Sequence, residues 1–341
     1  MKIAVLSPVW FPVPPTGYGG IEWVVSLLAD GLVETGHDVT LFASGDSRTM
    51  AKLGYVYEVA PSVDIGRAQT EIHHALACFE RADEFDVVND HSGPPAAVIG
   101  GAVQTPTVHT VHGPLLGEAG ALYKQIAKVA PRTRLISISM NQRKPCPDLP
   151  WLANVPNALD FSLYPMQPYR GDYLLYLGRM NPEKGAHRAI AVAMEKGLPL
   201  KLAGKKREPN EQRYFHELVE PHLRDGQIEY LGEVSHGEKV ELLQHARVTL
   251  FPIDWEEPFG LVMIESMACG TPVIATSRGS VPEVIEHGRS GIVVDDYRQM
   301  IDALEDADRL DPLDVRRAVE QRFSRERMVA DYVAAFEQVI G

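Results

Sequence analysis

The chain has 341 residues, 45% of them apolar and 23% charged, and a formal net charge of −13. That length suits two domains of roughly 150 to 190 residues better than one core. The negative balance argues against a nucleic-acid binder, whose surface must neutralise phosphates, so any anionic ligand must meet a local cluster of bases.

The opening MKIAVLSPVWFPVPP reads as a first strand, because prolines break its apolar run and no small-residue cleavage site follows. TGYGG (Thr16 to Gly20) comes next, but the dinucleotide fingerprint fails: Glu22 stands where its third glycine is required. What remains is either a turn that needs positive φ or a glycine turn whose helix-end amides face a phosphate. GGIEWVVSLLADGLVETG then places Ile21, Val24, Val25, Leu28 and Leu32 on one stripe and stops at Gly36, which predicts a crossover helix.

Short β-branched runs alternate with helical patterns: KIAVLS, DVTLFA, FDVVND, TPTVHTV and RLISIS. After a Pro- and Tyr-rich passage (Asn157 to Asp172) the alternation resumes with YLLYLG, LPLKLAG, IEYLG, VTLFPI, PVIAT and GIVV. Such alternation implies parallel sheets buried on both faces. The expected class is α/β, with two doubly wound Rossmann-like domains facing across a cleft, over residues 1–160 and 171–323. The last segment, SRERMVADYVAAFEQVIG (residues 324–341), predicts a helix with Ser324 as N-cap and Met328, Tyr332 and Phe336 on one face.

Polar and glycine residues gather where strands end: His91, Ser92 and Gly93; His112 and Gly113; Gly178 and Arg179; Gly204 and Lys205; Asp254 to Glu257. Open α/β sheets bind ligands outside the carboxyl ends of their strands. In YKQIAKVAPRTR, Lys124, Lys128, Arg132 and Arg134 stand without an acid. A solvated face explains them, and an acidic head group or a phosphorylated acceptor at a membrane surface would also suit them. Cys78, Cys146 and Cys269 lack metal spacing, no apolar run reaches the roughly 18 residues of a membrane span, and a cytoplasmic location is expected.

GRMNPEKG (Gly178 to Gly185) is not a P-loop, since Glu183 precedes Lys184 and no Ser or Thr follows it. Arg179 and Lys184 at a strand end suit a diphosphate, or else form a turn paired with local acids. In EEPFGLVMIESMACGTPVIA (Glu256 to Ala275) a helix starting near Phe259 or Gly260 leaves the amides of Gly260, Leu261 and Val262 free for a phosphate. Leu261, Ile264 and Ala268 form its expected packing stripe, with Glu265 on the flank. Glu265 then either accepts hydrogen bonds from vicinal hydroxyls such as those of a ribose, or is a half-buried acid paired with a distant base. Glu257 either points toward whatever the phosphate carries or complements the helix dipole. His73, His74, His109 and His112 lack a third metal ligand at sensible spacing, so no metal is expected. No Gly-x-Ser-x-Gly element is present, which disfavours a serine hydrolase.

GYGGIEWVV, the His-Gly at His112, GRMNPEKG, EEPFGLVMIESMACGTPVIA and GSVPEVIEHGRSGIVV together resemble the retaining nucleotide-sugar glycosyltransferases of family 4, with the glycosyltransferase B fold. The likeness spans nearly the whole chain. It implies transfer of a hexosyl group from a UDP- or GDP-linked donor to an acceptor hydroxyl. Arg179 and Lys184 would hold the diphosphate and stabilise the leaving group. Glu265 would bind the ribose and Glu257 a hydroxyl of the transferred sugar, with the amides of Phe259, Gly260, Leu261 and Val262 nearby. His112 would contact the donor sugar, Gly19 and Gly20 would let the first loop approach the phosphates, and His91 and Ser92 are acceptor-side candidates.

The family mechanism is front-side attack assisted by the leaving phosphate, which needs no protein nucleophile, cofactor or metal. The resemblance also implies that the final helix crosses back to the first domain. Two departures stand out: NALD (Asn157 to Asp160) replaces the frequent Asn-Gly, and only a short stretch separates His112 from RLISIS. A same-fold nucleotide-sugar epimerase, a pyridoxal-phosphate phosphorylase and a non-catalytic sugar-nucleotide binder are the alternatives.

Overall fold

The computed structural model describes residues 1–17, 19–224 and 226–341; Tyr18 of the TGYGG stretch lies outside the described residues. The chain divides into two compact units, Met1–Ala158 with Arg325–Gly341, and Leu159–Ser324. The change of unit therefore falls between Ala158 and Leu159, and residues 159–170 belong to the second unit.

The first unit holds a seven-stranded parallel sheet. Its strands are β1 (Lys2–Leu6), β2 (Asp38–Phe42), β3 (Lys52–Gly54), β4 (Val87–Asp90), β5 (Thr107–Val111), β6 (Arg134–Ser137) and β7 (Trp151–Asn154), in the spatial order β3-β2-β1-β4-β5-β6-β7. Every residue of β4 and β5 is buried, as a parallel strand covered on both faces requires. On one face Ala4, Leu6, Phe42 and Val88 pack with Ala75 and Phe79 of the helix Ala68–Phe79. Tyr123 and Ile126 of the helix Gly117–Val129 pack with Val111 and Leu135.

The crossover helix spans Gly20–Glu34 and buries Val24, Val25, Leu28 and Leu32, with Ile21 only half-buried. The closing helix Arg325–Ile340 lies against it so tightly that a Cβ on Gly31 would sit 2.6 Å from Val329 Cγ2. Met328, Tyr332 and Phe336 are buried, and Tyr332 Oη is 3.0 Å from Thr110 Oγ1 on β5. Arg327 donates to the carbonyl of Pro156 at 2.8 Å, which ties this helix to the end of the unit's main segment.

The second unit holds a six-stranded parallel sheet: β8 (Tyr173–Leu177), β9 (Leu200–Ala203), β10 (Ile228–Gly232), β11 (Ala246–Phe251), β12 (Val273–Thr276) and β13 (Gly291–Val294), in the order β10-β9-β8-β11-β12-β13. Leu174, Tyr176, Leu202 and Leu250 form its core with Ile190 and Phe215. In both sheets the order reverses once, between β1 and β4 and between β8 and β11. Loops leave to opposite sides there, so each sheet has one crevice at its carboxyl edge. Among the described residues no helix is long and apolar enough to cross a membrane.

Candidate active site

In the second unit, the loop after β8 and the loop and helix after β11 flank the switch point. Arg179 follows β8; its guanidinium is one-third exposed and its nearest acid is Glu211, at 3.6 Å. Glu211 is itself committed, since Oε2 accepts from the amides of Arg207 and Glu208 at the start of the helix Pro209–Leu218. Lys205, after β9, has its ammonium pushed down by burial; Glu211 opposes this and Arg179 adds to it. Lys184 pairs with Glu257, and its ammonium lies 4.5 Å from the centre of the Trp255 ring. Trp255 Nε1 donates to the same Glu257 oxygen at 2.9 Å. Arg179 and Lys184 thus each face an acid distant in sequence, an arrangement that their own loop does not encode.

The helix after β11 is Leu261–Ala268, preceded by Gly260 with φ +79°. Its buried face is Met263, Ile264, Met267 and Ala268. Leu261, expected in that stripe, is only half-buried: the left-handed turn at Gly260 places it at the mouth of the helix. The N–H groups of Phe259, Gly260, Leu261 and Val262 carry no hydrogen bond among the described residues. Aligned free amides at a helix start hold roughly half a positive charge and suit an anion.

One turn further on, Glu265 is buried. Its Oε1 accepts from Lys239 at 2.5 Å and from Tyr164 Oη at 2.9 Å, while Oε2 makes no hydrogen bond among the described residues. Burial, together with the Glu265 charge, holds the Tyr164 phenol far above its ordinary range, so it stays a donor. The paired acid and the open oxygen are therefore both present in one carboxylate. Arg316 fixes this corner by donating to the carbonyls of Tyr164 at 2.6 Å and Ala268 at 2.7 Å.

In the first unit, Asn89 and Asp90 end β4, and His91 and Ser92 follow. His91 is buried, and both ring nitrogens are engaged: Nε2 with Asn89 Oδ1 at 2.8 Å and Nδ1 with His112 Nε2 at 2.9 Å. Its ring leaves no nitrogen without a partner. Ser92 donates its hydroxyl to Asp90 Oδ1 at 2.7 Å and is half-buried. His112, after β5, is half-buried, and its Nδ1 has no partner among the described residues. Burial pushes His112 down to about 3, with the charge on His109 adding and Asp90 opposing. His109 is buried inside β5 between Asp90, at 2.5 Å, and Tyr123, at 2.8 Å.

Gly19 precedes the crossover helix and Gly20 begins it. A Cβ on Gly19 would lie 2.8 Å from the Pro15 ring, so packing alone requires glycine there. Lys124, Lys128, Arg132 and Arg134 are all exposed, and the three cysteines are buried and free. No group of three or more metal-binding side chains occurs among the described residues. Sequence reasoning missed Tyr164 and Lys239, which only the fold brings to Glu265, and it missed Asn89, which bonds to His91 two residues on.

Two family descriptions match this chain: "Glycosyl transferases group 1" over residues 168–317 and "Glycosyltransferase Family 4" over residues 18–142. A glycogen synthase of Mycobacterium tuberculosis is 27% identical, with 86% of this chain and 82% of that protein covered. A phosphatidyl-myo-inositol mannosyltransferase of Mycolicibacterium smegmatis is 26% identical, covering 89% and 84%. Among solved structures, AviGT4, a glycosyltransferase of avilamycin A biosynthesis, superposes with a TM-score of 0.73 at 26% identity, covering 100% of this chain and 98% of that one. Anabaena HepE, solved with UDP-glucose, shares the fold with a TM-score of 0.78 at 18% identity, covering 99% and 100%. With these matches on both units and two doubly wound sheets, the chain belongs to the group 1, family 4 glycosyl transferases of the glycosyltransferase B fold.

Proposed function

We propose that the protein transfers a hexosyl group from a UDP- or GDP-linked sugar to an acceptor hydroxyl, with retention of anomeric configuration and without a metal. The observation that carries this reading is the run of unfilled amides from Phe259 to Val262, with the open Oε2 of Glu265 one turn beyond. A diphosphate on those amides sets the attached ribose beside Glu265, whose free oxygen accepts from a ribose hydroxyl while Lys239 and Tyr164 hold the other. Arg179, Lys184 and the helix dipole supply the positive charge that the leaving diphosphate needs as the bond to the sugar breaks. The acceptor oxygen attacks the anomeric carbon from the leaving-group face and passes its proton to the departing phosphate oxygen. Glu257, held by Lys184 and Trp255, is the carboxylate for a hydroxyl of the transferred sugar. The three buried thiols suit a reducing cytoplasm.

Calorimetric titration with UDP-, GDP- and ADP-sugars, run beside Glu265→Ala, tests the reading. One nucleotide class should bind, and the variant should bind it about 10- to 100-fold more weakly, the worth of one charge-assisted hydrogen bond. Unchanged affinity in a folded variant removes Glu265 from the ribose. Absence of binding by every donor removes the transferase reading.

A further inference from the structure

From Ala119 to Pro147 the first unit has six Lys or Arg and no Asp or Glu, in a chain whose net charge is −13. The helix Gly117–Val129 lies at the centre of this stretch and buries Gly120, Tyr123 and Ile126 against the sheet. Its outer side carries two lines of side chains. Leu122 and Val129, seven residues apart and therefore on one line, are 43% and 71% exposed. Lys124 and Lys128, four apart, are exposed beside them, and Arg132 and Arg134 continue the charge past the helix end. Arg132 is steadied there by the Gln104 amide oxygen at 2.8 Å. No carboxylate pairs with any of these four cations among the described residues. Elsewhere the exposed bases meet an acid within a turn, as Arg67 meets Asp64, Arg289 meets Glu286 and Arg309 meets Asp306. Like charges four apart weaken a helix, so Lys124 and Lys128 do not serve the fold.

We propose that this face of the first unit docks on an anionic lipid surface, with Lys124, Lys128, Arg132 and Arg134 over the phosphate head groups and Leu122 and Val129 entering the interface. The cations form a row about 6 Å per helical step and not a cradle, so they suit a plane of phosphates better than one compact phosphate compound. The exposed apolar line beside them gives a nucleic acid nothing to bind, whereas a membrane interface takes both kinds of side chain at once. Four bases and two apolar side chains make the binding reversible. The proposal goes beyond the transferase reading and does not depend on it.

Flotation of the full chain with vesicles of phosphatidylcholine alone, and of phosphatidylcholine mixed with phosphatidylglycerol, tests this. The chain should float with the anionic vesicles only, and added salt should release it by screening. Lys124→Glu combined with Lys128→Glu should weaken partition at least about 30-fold, the worth of two basic side chains near such a surface. Lys124→Arg combined with Lys128→Arg should keep it. Val129→Cys carrying a polarity-sensitive dye reads the contact at the residue, since the three native thiols are buried. Its emission should shift to the blue on anionic vesicles. No flotation, equal flotation with both vesicles, full flotation of the glutamate variant or an unshifted dye each overturns the proposal. A dye shift on inorganic pyrophosphate as large as that on vesicles assigns the patch to a soluble phosphate, and one on polyglutamate assigns it to an acidic polypeptide; either outcome overturns lipid docking. Affinity of the glutamate variant for UDP or GDP should match the parent chain. Failure of every nucleotide to bind overturns the transferase reading and leaves the vesicle result standing.

Discussion

At Glu257 the side chain and the backbone are held by different elements. Lys184 and Trp255 hold the carboxylate, while Ser280 donates its amide to the Glu257 carbonyl at 2.9 Å and its hydroxyl to the Phe259 carbonyl at 2.7 Å. Gly279, with φ +57°, lets that loop come close: a Cβ there would lie 2.3 Å from both the nitrogen and the oxygen of Glu257. Gly279→Ala therefore combines a strained backbone, costing about 1–2 kcal/mol, with a clash that displaces the Glu257 loop. Because displacements near 1 Å can cost about 100-fold in rate, turnover should drop on that order while the unfolding midpoint falls only modestly. Steady-state kinetics beside a denaturant titration checks this; full activity would show that the loop tolerates the methyl. The two glutamates and two cations were legible as residues, because glycine turns and strand ends mark their places. Their partners were not: Lys239 precedes Glu265 by 26 residues and Tyr164 by 101, and no local spacing rule reaches that far.

Among the elements, strand legibility followed burial. The central strands read directly, because burial on both faces demands near-continuous apolar runs. β3 (KLG) and β7 (WLAN) escaped, being short edge strands without a buried residue. Helix stripes read well where one face packs on a sheet, but polar residues within those faces did not. His74, on the helix Ala68–Phe79, is one: it is buried, and its Nε2 lies 3.0 Å from the carbonyl of Ser7 just after β1. Burial pushes it down to about 4 from an ordinary 6.5; the Ser7 carbonyl and the Asp90 charge oppose this, and His73 adds to it. A depressed folded value means that the unfolded chain binds the proton first. Its contribution is thus present above about 6.5 and is lost as pH falls toward 4. At about 1.4 kcal/mol per unit, roughly 3 kcal/mol of the first unit's stability should disappear over that window. Comparing urea denaturation at several pH values for the protein and His74→Gln tests this, and the variant should show the shallower acid limb. Equal limbs would mean that His74 titrates normally.

For the molecule as a whole, the spacing of Met328, Tyr332 and Phe336 gave the closing helix, but what that helix covers is not contained in its own pattern. Its apolar face would suit either sheet. The fold selects the first unit through the gap at Gly31, which admits Val329, through Thr110, which meets Tyr332, and through an ion pair of Arg325 with Glu34 at 2.6 Å. A chain ending at Ser324 would lose the burial of Met328, Val329, Tyr332 and Phe336. At about 1.5–3 kcal/mol for each side chain, that loss matches the whole stability of a typical domain, about 5–15 kcal/mol. Such a truncation should leave the first unit unfolded, or melting far below the intact chain. Residues 159–324, whose core the closing helix does not join, should keep their own thermal transition and their nucleoside diphosphate affinity. Differential scanning calorimetry with and without UDP or GDP separates the two cases. Loss of one transition with a nucleotide-stabilised transition surviving is the expected outcome. Simultaneous loss of both would mean that the units do not hold their folds separately.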